Sequence, residues 1–104
     1  MNSSSDNQQE PRVQRVTLTE ETLTLDLVDG RTMSVPLAWY PRLWYGTQEE
    51  RENFEIFGDA RYIHWPDLDE DLTVAGIVEG RRSGEGLRSL KKWLESRGQT
   101  KQTA

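Results

Sequence analysis

The sequence predicts an α+β domain, with a small antiparallel sheet of three to four strands and two to four short helices packed on one side of it. Two observations carry this prediction. Apolar and polar residues alternate at period 2 over much of residues 12–35, which is the pattern of half-buried strands. Later segments place apolar residues at helical spacing, between prolines and glycines that begin and end helices. With 104 residues, the chain is long enough for one hydrophobic core and too short for two.

Three strands are predicted in the first third of the chain. The alternation of the first strand is expected to place Val13 on the face opposite Val16. Between the second and third strands, Asp29-Gly30 predicts a hairpin with a type I′ turn, because both residues tolerate positive φ. The predicted strands cover residues 12–18, 23–27 and 31–35.

Two short helices are predicted next. Pro36 is suited to a helix start, and Pro41 is compatible with the first helix if it lies in the first turn. Thr47 and Glu50 have the capping-box spacing that opens the second helix, which is expected to continue to Gly58. The first helix would bury Leu37, Tyr40, Leu43 and Trp44, and the second Phe54, Ile56 and Phe57.

The stretch from Arg61 to Val74 concentrates the only histidine, a tryptophan, a proline and four carboxylates. Residues 62–65 are predicted to form a strand that Pro66 ends or confines to a sheet edge. In an extended conformation, Asp67, Asp69 and Asp71 would share one face.

Two more helices are expected after this stretch. Thr73 or Asp71 would cap a short helix that ends at Gly80. Ser83 and Glu85 would open the last helix, which Gly98 closes. Its apolar stripe consists of Leu87, Leu90, Trp93 and Leu94.

The chain is therefore divided into three parts. Residues 1–11 are predicted to be a disordered N-terminal segment, residues 12–80 a compact α+β domain, and residues 81–104 a basic linker, a C-terminal helix and a frayed end. The chain has no cysteine, no apolar run of membrane-spanning length and no signal-peptide pattern at its N-terminus. A cytoplasmic location without membrane contact is the expectation.

Charge is distributed unevenly along the chain. Up to residue 80 there are 6 Lys/Arg and 16 Asp/Glu, which gives −10, whereas the remainder has 7 and 2, which gives +5. An acidic body would repel nucleic acid, but the basic tail could attract nucleic acid or an acidic protein surface. The other interpretation is that these charges only solvate a terminal helix. The candidate nucleic-acid residues are Arg81, Arg82, Arg88, Lys91 and Lys92.

The aspartates at 67, 69 and 71 suggest a calcium loop, but the sequence continues with Leu72 where that loop needs glycine and with Val78 where it needs glutamate. His64 is interpreted as a half-buried strand residue that hydrogen-bonds a neighbouring carboxylate, since no set of nucleophile, base and oxyanion donor accompanies it. No cofactor, metal site or enzymatic activity is predicted.

An aromatic and acidic surface is the predicted partner-binding site. A helix with several large aromatic side chains cannot bury all of them against one sheet, and exposed apolar patches mark interaction sites. The alternative interpretation is that these aromatic residues form the core of a short domain. The candidate residues are Trp44, Tyr45, His64, Trp65, Asp67, Asp69, Glu70 and Asp71.

Several motifs resemble the bacterial family known as domain of unknown function 2442, in the family's order and spacing from about residue 12 to residue 80. The motifs are Asp29-Gly30-Arg31, Val35-Pro36-Leu37, Trp39-Tyr40-Pro41-Arg42-Leu43, Glu50-Arg51-x-Asn53 and Ile63-His64-Trp65-Pro66-x-Leu68-Asp69-Glu70-Asp71. The resemblance implies a compact α+β fold, similar to the amino-terminal domain of a Nitrosomonas protein in which a helix-turn-helix domain follows. It assigns neither an activity nor functional residues, and here only about one helix follows Gly80.

Genes of this family often lie beside a second short gene, which implies an antitoxin-type or regulatory partner. The leading hypothesis is a small cytoplasmic protein-binding or regulatory module, antitoxin-like within a two-gene pair, that binds a basic, toxin-like protein. The alternatives are a nucleic-acid-associated transcriptional regulator that uses the basic C-terminal helix, and a weak metal-dependent hydrolase. A homodimer formed through the C-terminal helix is a further expectation.

Overall fold

The computed structural model describes residues 10–98, so most of the predicted disordered segment and the whole predicted frayed end lie outside the described residues. The α+β class is confirmed, but the strands form two three-stranded antiparallel sheets instead of one. The strands are β1 Val13–Leu18, β2 Thr22–Leu27, β3 Thr32–Pro36, β4 Glu55–Phe57, β5 Tyr62–Trp65 and β6 Glu70–Thr73. The helices are α1 Pro41–Trp44, α2 Gln48–Glu52, α3 Val74–Val78 and α4 Leu87–Ser96, preceded by one 3₁₀ turn, Leu37–Trp39.

The first sheet has the order β1-β2-β3 and buries one face. The predicted separation of Val13 from Val16 is wrong, because a shift in register between Val13 and Arg15 turns both valines toward the core. An extra residue on one strand has this effect, since it reverses the alternation at that point. Three strands therefore contribute apolar side chains to the same face.

The hairpin between β2 and β3 forms where Asp29-Gly30 predicted it, but the type I′ turn is wrong. Of these two residues only Gly30 has positive φ, at 99°. The backbone N–H of Leu27 donates to the carbonyl of Arg31 at 2.7 Å, which encloses three loop residues. Loops of this length commonly place glycine in the left-handed position that completes the turn.

The second sheet has the order β4-β5-β6, so β5 is central. It ends at Trp65, directly before Pro66, so Pro66 ends this strand and does not confine it to an edge. The Thr47–Glu50 capping box is present. The predicted extension of this helix to Gly58 is wrong, because α2 ends at Glu52 and β4 then pairs with β5. Ile56 and Phe57 consequently lie on a sheet edge, with 39% and 46% of their surface exposed.

One core joins the two sheets and the turns between them. Pro41 divides the first predicted helix into the 3₁₀ turn and α1, and most of its predicted apolar face is buried. Trp44 is the exception, since 42% of its surface is exposed. The buried apolar residues are Val13, Val16, Leu18, Leu23, Leu25, Leu27, Val35, Leu37, Tyr40, Leu43, Ile63, Trp65, Leu68, Val74 and Ile77.

Charged residues on either side of the C-terminal helix α4 join it to the rest of the domain, and Trp93 of the helix packs against the core. Arg42 donates to both carboxylate oxygens of Glu85, and Arg97 donates to both oxygens of Glu50. The Trp93 ring contacts the guanidinium groups of Arg42 and Arg97, at 5.0 and 4.7 Å from the ring centroid. Leu87, which belongs to the predicted apolar stripe of this helix, has 85% of its surface exposed.

The shorter helix α3 begins as predicted, with the Thr73 hydroxyl accepting from the backbone N–H of Gly76 at 2.9 Å. Among residues 10–98, no helix is both long and apolar enough to cross a membrane.

Candidate functional site

The outward-facing side of the second sheet gathers acidic and aromatic side chains. In the register of this sheet, Glu55 and Asp71 both lie opposite His64, one on each neighbouring strand. Phe57 lies opposite Tyr62. Side chains directly opposite one another in antiparallel strands share a face, so these five lie on one side. The alternate positions, including Ile63 and Trp65, point into the core. We call Glu55, Phe57, Tyr62, His64, Asp71 and Thr73 the outer face.

Two stacked aromatic rings form one end of the outer face. The ring centroids of Phe57 and Tyr62 are 5.3 Å apart with an interplanar angle of 25°. Both rings remain accessible, with 46% and 38% of the residue surface exposed. Gly58 permits this arrangement, because its φ is 63° and a Cβ there would lie 2.3 Å from the Tyr62 ring. The stacking of the two exposed rings therefore depends on a glycine in the turn that follows β4.

Carboxylates form the other end of the outer face. His64 Nδ1 lies 2.5 Å from a carboxylate oxygen of Asp71, which confirms the predicted half-buried histidine hydrogen-bonded to a neighbouring carboxylate. Glu55 flanks His64 from the opposite strand. No lysine or arginine belongs to the outer face, so it offers two carboxylates and two exposed rings to a partner.

The predicted common face of the three aspartates is wrong. Residues 66–69 form a turn in which Asp69 has a φ of 51°, and of the three aspartates only Asp71 lies in a strand. Asp67 accepts a hydrogen bond from the Asn53 amide at 2.9 Å, whereas Asp69 lies 3.4 Å from Arg42 Nη1. Within residues 10–98, no three His, Cys, Asp or Glu side chains converge to hold a metal ion.

Trp44 and Tyr45 lie beside this turn, and each has 42% of its surface exposed. Leu68 from the turn packs so closely on Gly46 that a Cβ there would lie 2.9 Å from the leucine methyl groups. The predicted aromatic and acidic segments are thus brought together. Trp65 is not available to a partner, because it is fully buried and donates its indole N–H to the Arg51 carbonyl at 2.9 Å.

Glu70 differs from its acidic neighbours because it lies on the inward-facing side of β6, opposite Trp65. Burial raises the pKa of its carboxyl from 4.5 to about 7, and the charge of Glu85 acts in the same direction. The charge of Arg42 opposes this shift and is the second-largest influence. Glu70 is therefore a half-buried carboxyl and does not contribute to the outer face.

The predicted nucleic-acid residues fall into two groups. Arg81 pairs with Glu79 at 2.8 Å, and the Arg82 guanidinium lies 4.5 Å from the Trp39 ring centroid. By contrast, no carboxylate of residues 10–98 lies within ion-pair distance of the others, which are Arg88, Lys91 and Lys92 on α4. Two of these, Arg88 and Lys92, line a shallow groove of about 660 Å³ beside Trp93.

Glu55, Phe57 and Tyr62 are surface residues of the candidate site that the sequence does not predict. The spacing predicts Phe57 on the buried face of a helix, and a helix there gives no reason to place Glu55 beside a carboxylate of the later strands. The usable signal was the glycine at position 58, which can end a strand in a tight turn as well as end a helix.

The comparisons support the fold and leave the outer face without an assigned role. A family model described as "Protein of unknown function (DUF2442)" matches residues 13–83. A crystal structure of a protein of unknown function from Rhodospirillum rubrum has a TM-score of 0.63 at 26% identity, covering 73% of this chain and 94% of that chain. An uncharacterized Chromobacterium violaceum protein, solved by NMR, has a TM-score of 0.63 at 18% identity, covering 92% and 84%. No curated protein matches the chain.

Proposed function

This chain belongs to the DUF2442 family of proteins of unknown function, and we propose that within it the chain is a protein-binding module for a basic partner. The observation that carries the proposal is the outer face, where the exposed Phe57–Tyr62 stack lies on the same side as Glu55 and Asp71. We further propose that this partner is the product of an adjacent short gene and that the chain has an antitoxin-like, regulatory role.

The chemistry of the outer face suits arginine or lysine side chains. Their charged heads pair with carboxylates, and guanidinium groups also stack on aromatic rings. The acidic body would speed the encounter with a basic protein, while the partly buried rings would slow dissociation. Trp44 and Tyr45, beside the acidic turn, provide a second contact area of the same composition.

The test is binding of the adjacent gene's product to the purified chain by surface plasmon resonance. We expect Phe57→Ser to raise koff by about tenfold or more, because anchor residues of this kind typically contribute about 2 kcal/mol. Glu55→Gln should mainly lower kon and its salt dependence. Val28→Ser is the matched control, since Val28 is 50% exposed on the first hairpin and is not one of the outer-face residues.

Folding of each variant is checked by its cooperative melt. Unchanged binding of folded Phe57→Ser and Glu55→Gln proteins would remove the partner from the outer face. Binding that Val28→Ser weakens as much as Phe57→Ser would show a nonspecific apolar effect and would also contradict the proposal.

A nucleic-acid regulator is the second candidate, and it is supported by the three cations of α4 that lack an ion pair within residues 10–98. Three phosphate contacts would give a slope of about −2.7 in a plot of log K against log salt concentration. Fluorescence anisotropy with a DNA duplex measures this slope. A protein with Arg88, Lys91 and Lys92 all changed to Gln should lose the slope, and an unchanged slope would refute this candidate. The hydrolase alternative receives no comparable support, because the aspartates diverge.

A further inference from the structure

The strand edges of the two sheets differ in how they discourage pairing with another chain. In the first sheet, β1 carries an irregularity in register and β3 ends in Pro36, which has no N–H to donate. Bulges and prolines are common means of blocking an edge. β4, one of the two edge strands of the second sheet, has neither a bulge nor a proline, and all three of its residues are exposed.

Within the described residues, no strand pairs with the outer edge of β4. Glu55, Ile56 and Phe57 pair with β5 on one side, and no backbone hydrogen bond joins them to any other element of residues 10–98. Alternate residues of a strand point their N–H and C=O groups to opposite sides, so at least one residue of β4 presents both groups to the open side. These groups can accept another strand.

We propose that β4 receives an extended basic segment of the partner, which adds a fourth strand to the second sheet. This inference rests on the proposed function and specifies the conformation and sequence of the segment that is bound. Strand addition of this kind takes affinity from backbone hydrogen bonds and specificity from alternate side chains.

The side chains of β4 define the sequence that fits. Residues of the added strand on the outer side would lie beside Glu55 and Phe57, where a lysine or arginine can pair with the carboxylate or stack on the ring. The residue between them would point inward beside Ile56, which is 39% exposed and has room for an apolar neighbour. The predicted segment therefore reads basic, apolar, basic.

Charge favours this occupant over a second copy of the chain. If two β4 strands paired around a twofold axis at Ile56, Glu55 of each copy would face Phe57 of the other, and no cation would meet either carboxylate. The outer face also contributes Asp71 and has no lysine or arginine, so two such faces side by side would repel. A basic segment would supply cations to these carboxylates and would be attracted to the acidic face.

The test titrates the 15N-labelled full chain with the peptide acetyl-Thr-Lys-Val-Arg-Thr-amide and follows backbone amide shifts by NMR. We expect the shifts to centre on residues 55–57 and to vanish with a control peptide that has glutamate in place of lysine and arginine. Two further peptides carry N-methyl groups, one on the valine and the other on both the lysine and the arginine.

Strand addition predicts that one N-methylated peptide binds about tenfold or more weakly and that the other binds like the parent, because only alternate N–H groups bond to β4. Equal binding by both would overturn strand addition while leaving side-chain binding to the outer face intact. Absence of binding at millimolar peptide concentration would also overturn strand addition. Shifts of residues 55–57 that depend on protein concentration alone would overturn it too, because they would show that a second copy of the chain occupies the edge. Binding of the adjacent gene's product, measured separately, decides the proposed function.

Discussion

Replacing Glu70 by glutamine should stabilise the protein at pH 8 and change its stability little at pH 4. Burial raises the pKa of Glu70 from 4.5 to about 7, so the folded chain holds a proton on this carboxyl that the unfolded chain has already released. Between these two pKa values, stability falls as pH rises, because the unfolded state binds fewer protons. Glutamine keeps the shape of the side chain and has no charge to desolvate.

The size of the effect follows from the displacement of the pKa. A change from 4.5 to about 7 corresponds to at most about 3.5 kcal/mol, at roughly 1.4 kcal/mol for each unit of pKa. Because Glu70 is only partly buried, solvent screening reduces this figure, and we expect about 1–2 kcal/mol at pH 8. At pH 4 the carboxyl is mostly protonated in both states, so little difference remains.

Urea unfolding followed by tryptophan fluorescence measures the free energy of unfolding at both pH values. Glu20→Gln is the control, since Glu20 is exposed in the turn between β1 and β2 and should change stability by less than about 0.5 kcal/mol. A Glu70→Gln protein that is equally or less stable than the parent at pH 8 would refute the inference that Glu70 is desolvated. So would an equal gain at pH 4 and pH 8, because a titrating group cannot produce it.

Three other perturbations test separate parts of the structure. Gly58→Ala should destabilise the protein by about 1–3 kcal/mol in urea unfolding, because of its positive φ and the 2.3 Å approach to Tyr62, and an unchanged midpoint would contradict that geometry. Arg42→Gln should speed hydrogen exchange in α4 while the sheets stay protected, whereas Arg88→Gln, which breaks no ion pair, should not. Millimolar calcium or magnesium should leave the melting temperature nearly unchanged, and a rise of several degrees that Asp69→Asn abolishes would establish a metal site.

Local signals in the sequence were sufficient for the strands of the first sheet, though not for the register of β1, and for several helix starts. The leucines of β2 alternate without interruption, and the Thr47–Glu50 capping box and the Thr73 cap form as predicted. These features depend on residues within a few positions of one another, so their spacing is visible in one sequence. The irregularity in register between Val13 and Arg15 cannot be read from the spacing within β1, because it depends on how β1 pairs with β2.

The segment after α2 shows why the candidate site was harder to predict. Phe54 and Phe57 are three residues apart, which fits a helix, whereas Phe54 and Ile56 are two apart, which fits a strand, so the spacing does not decide between the two. The structure resolves the ambiguity through the pairing of Ile56 with Ile63 on the next strand. Asn53 ends the helix and donates to Asp67, fourteen residues later, which is another contact that spacing within the segment does not reveal.

The register of β5 against β6 links the candidate site to the titration of Glu70. Pairing Trp65 with Glu70 and His64 with Asp71 places Glu70 inward and Asp71 on the outer face. A slip of one residue would exchange these two faces, since side chains alternate along a strand. Asp71→Asn would then stabilise the protein at pH 8 instead of Glu70→Gln, and Asp71 would be lost from the partner surface. Measuring both variants therefore tests, without any partner, the register on which the outer face depends.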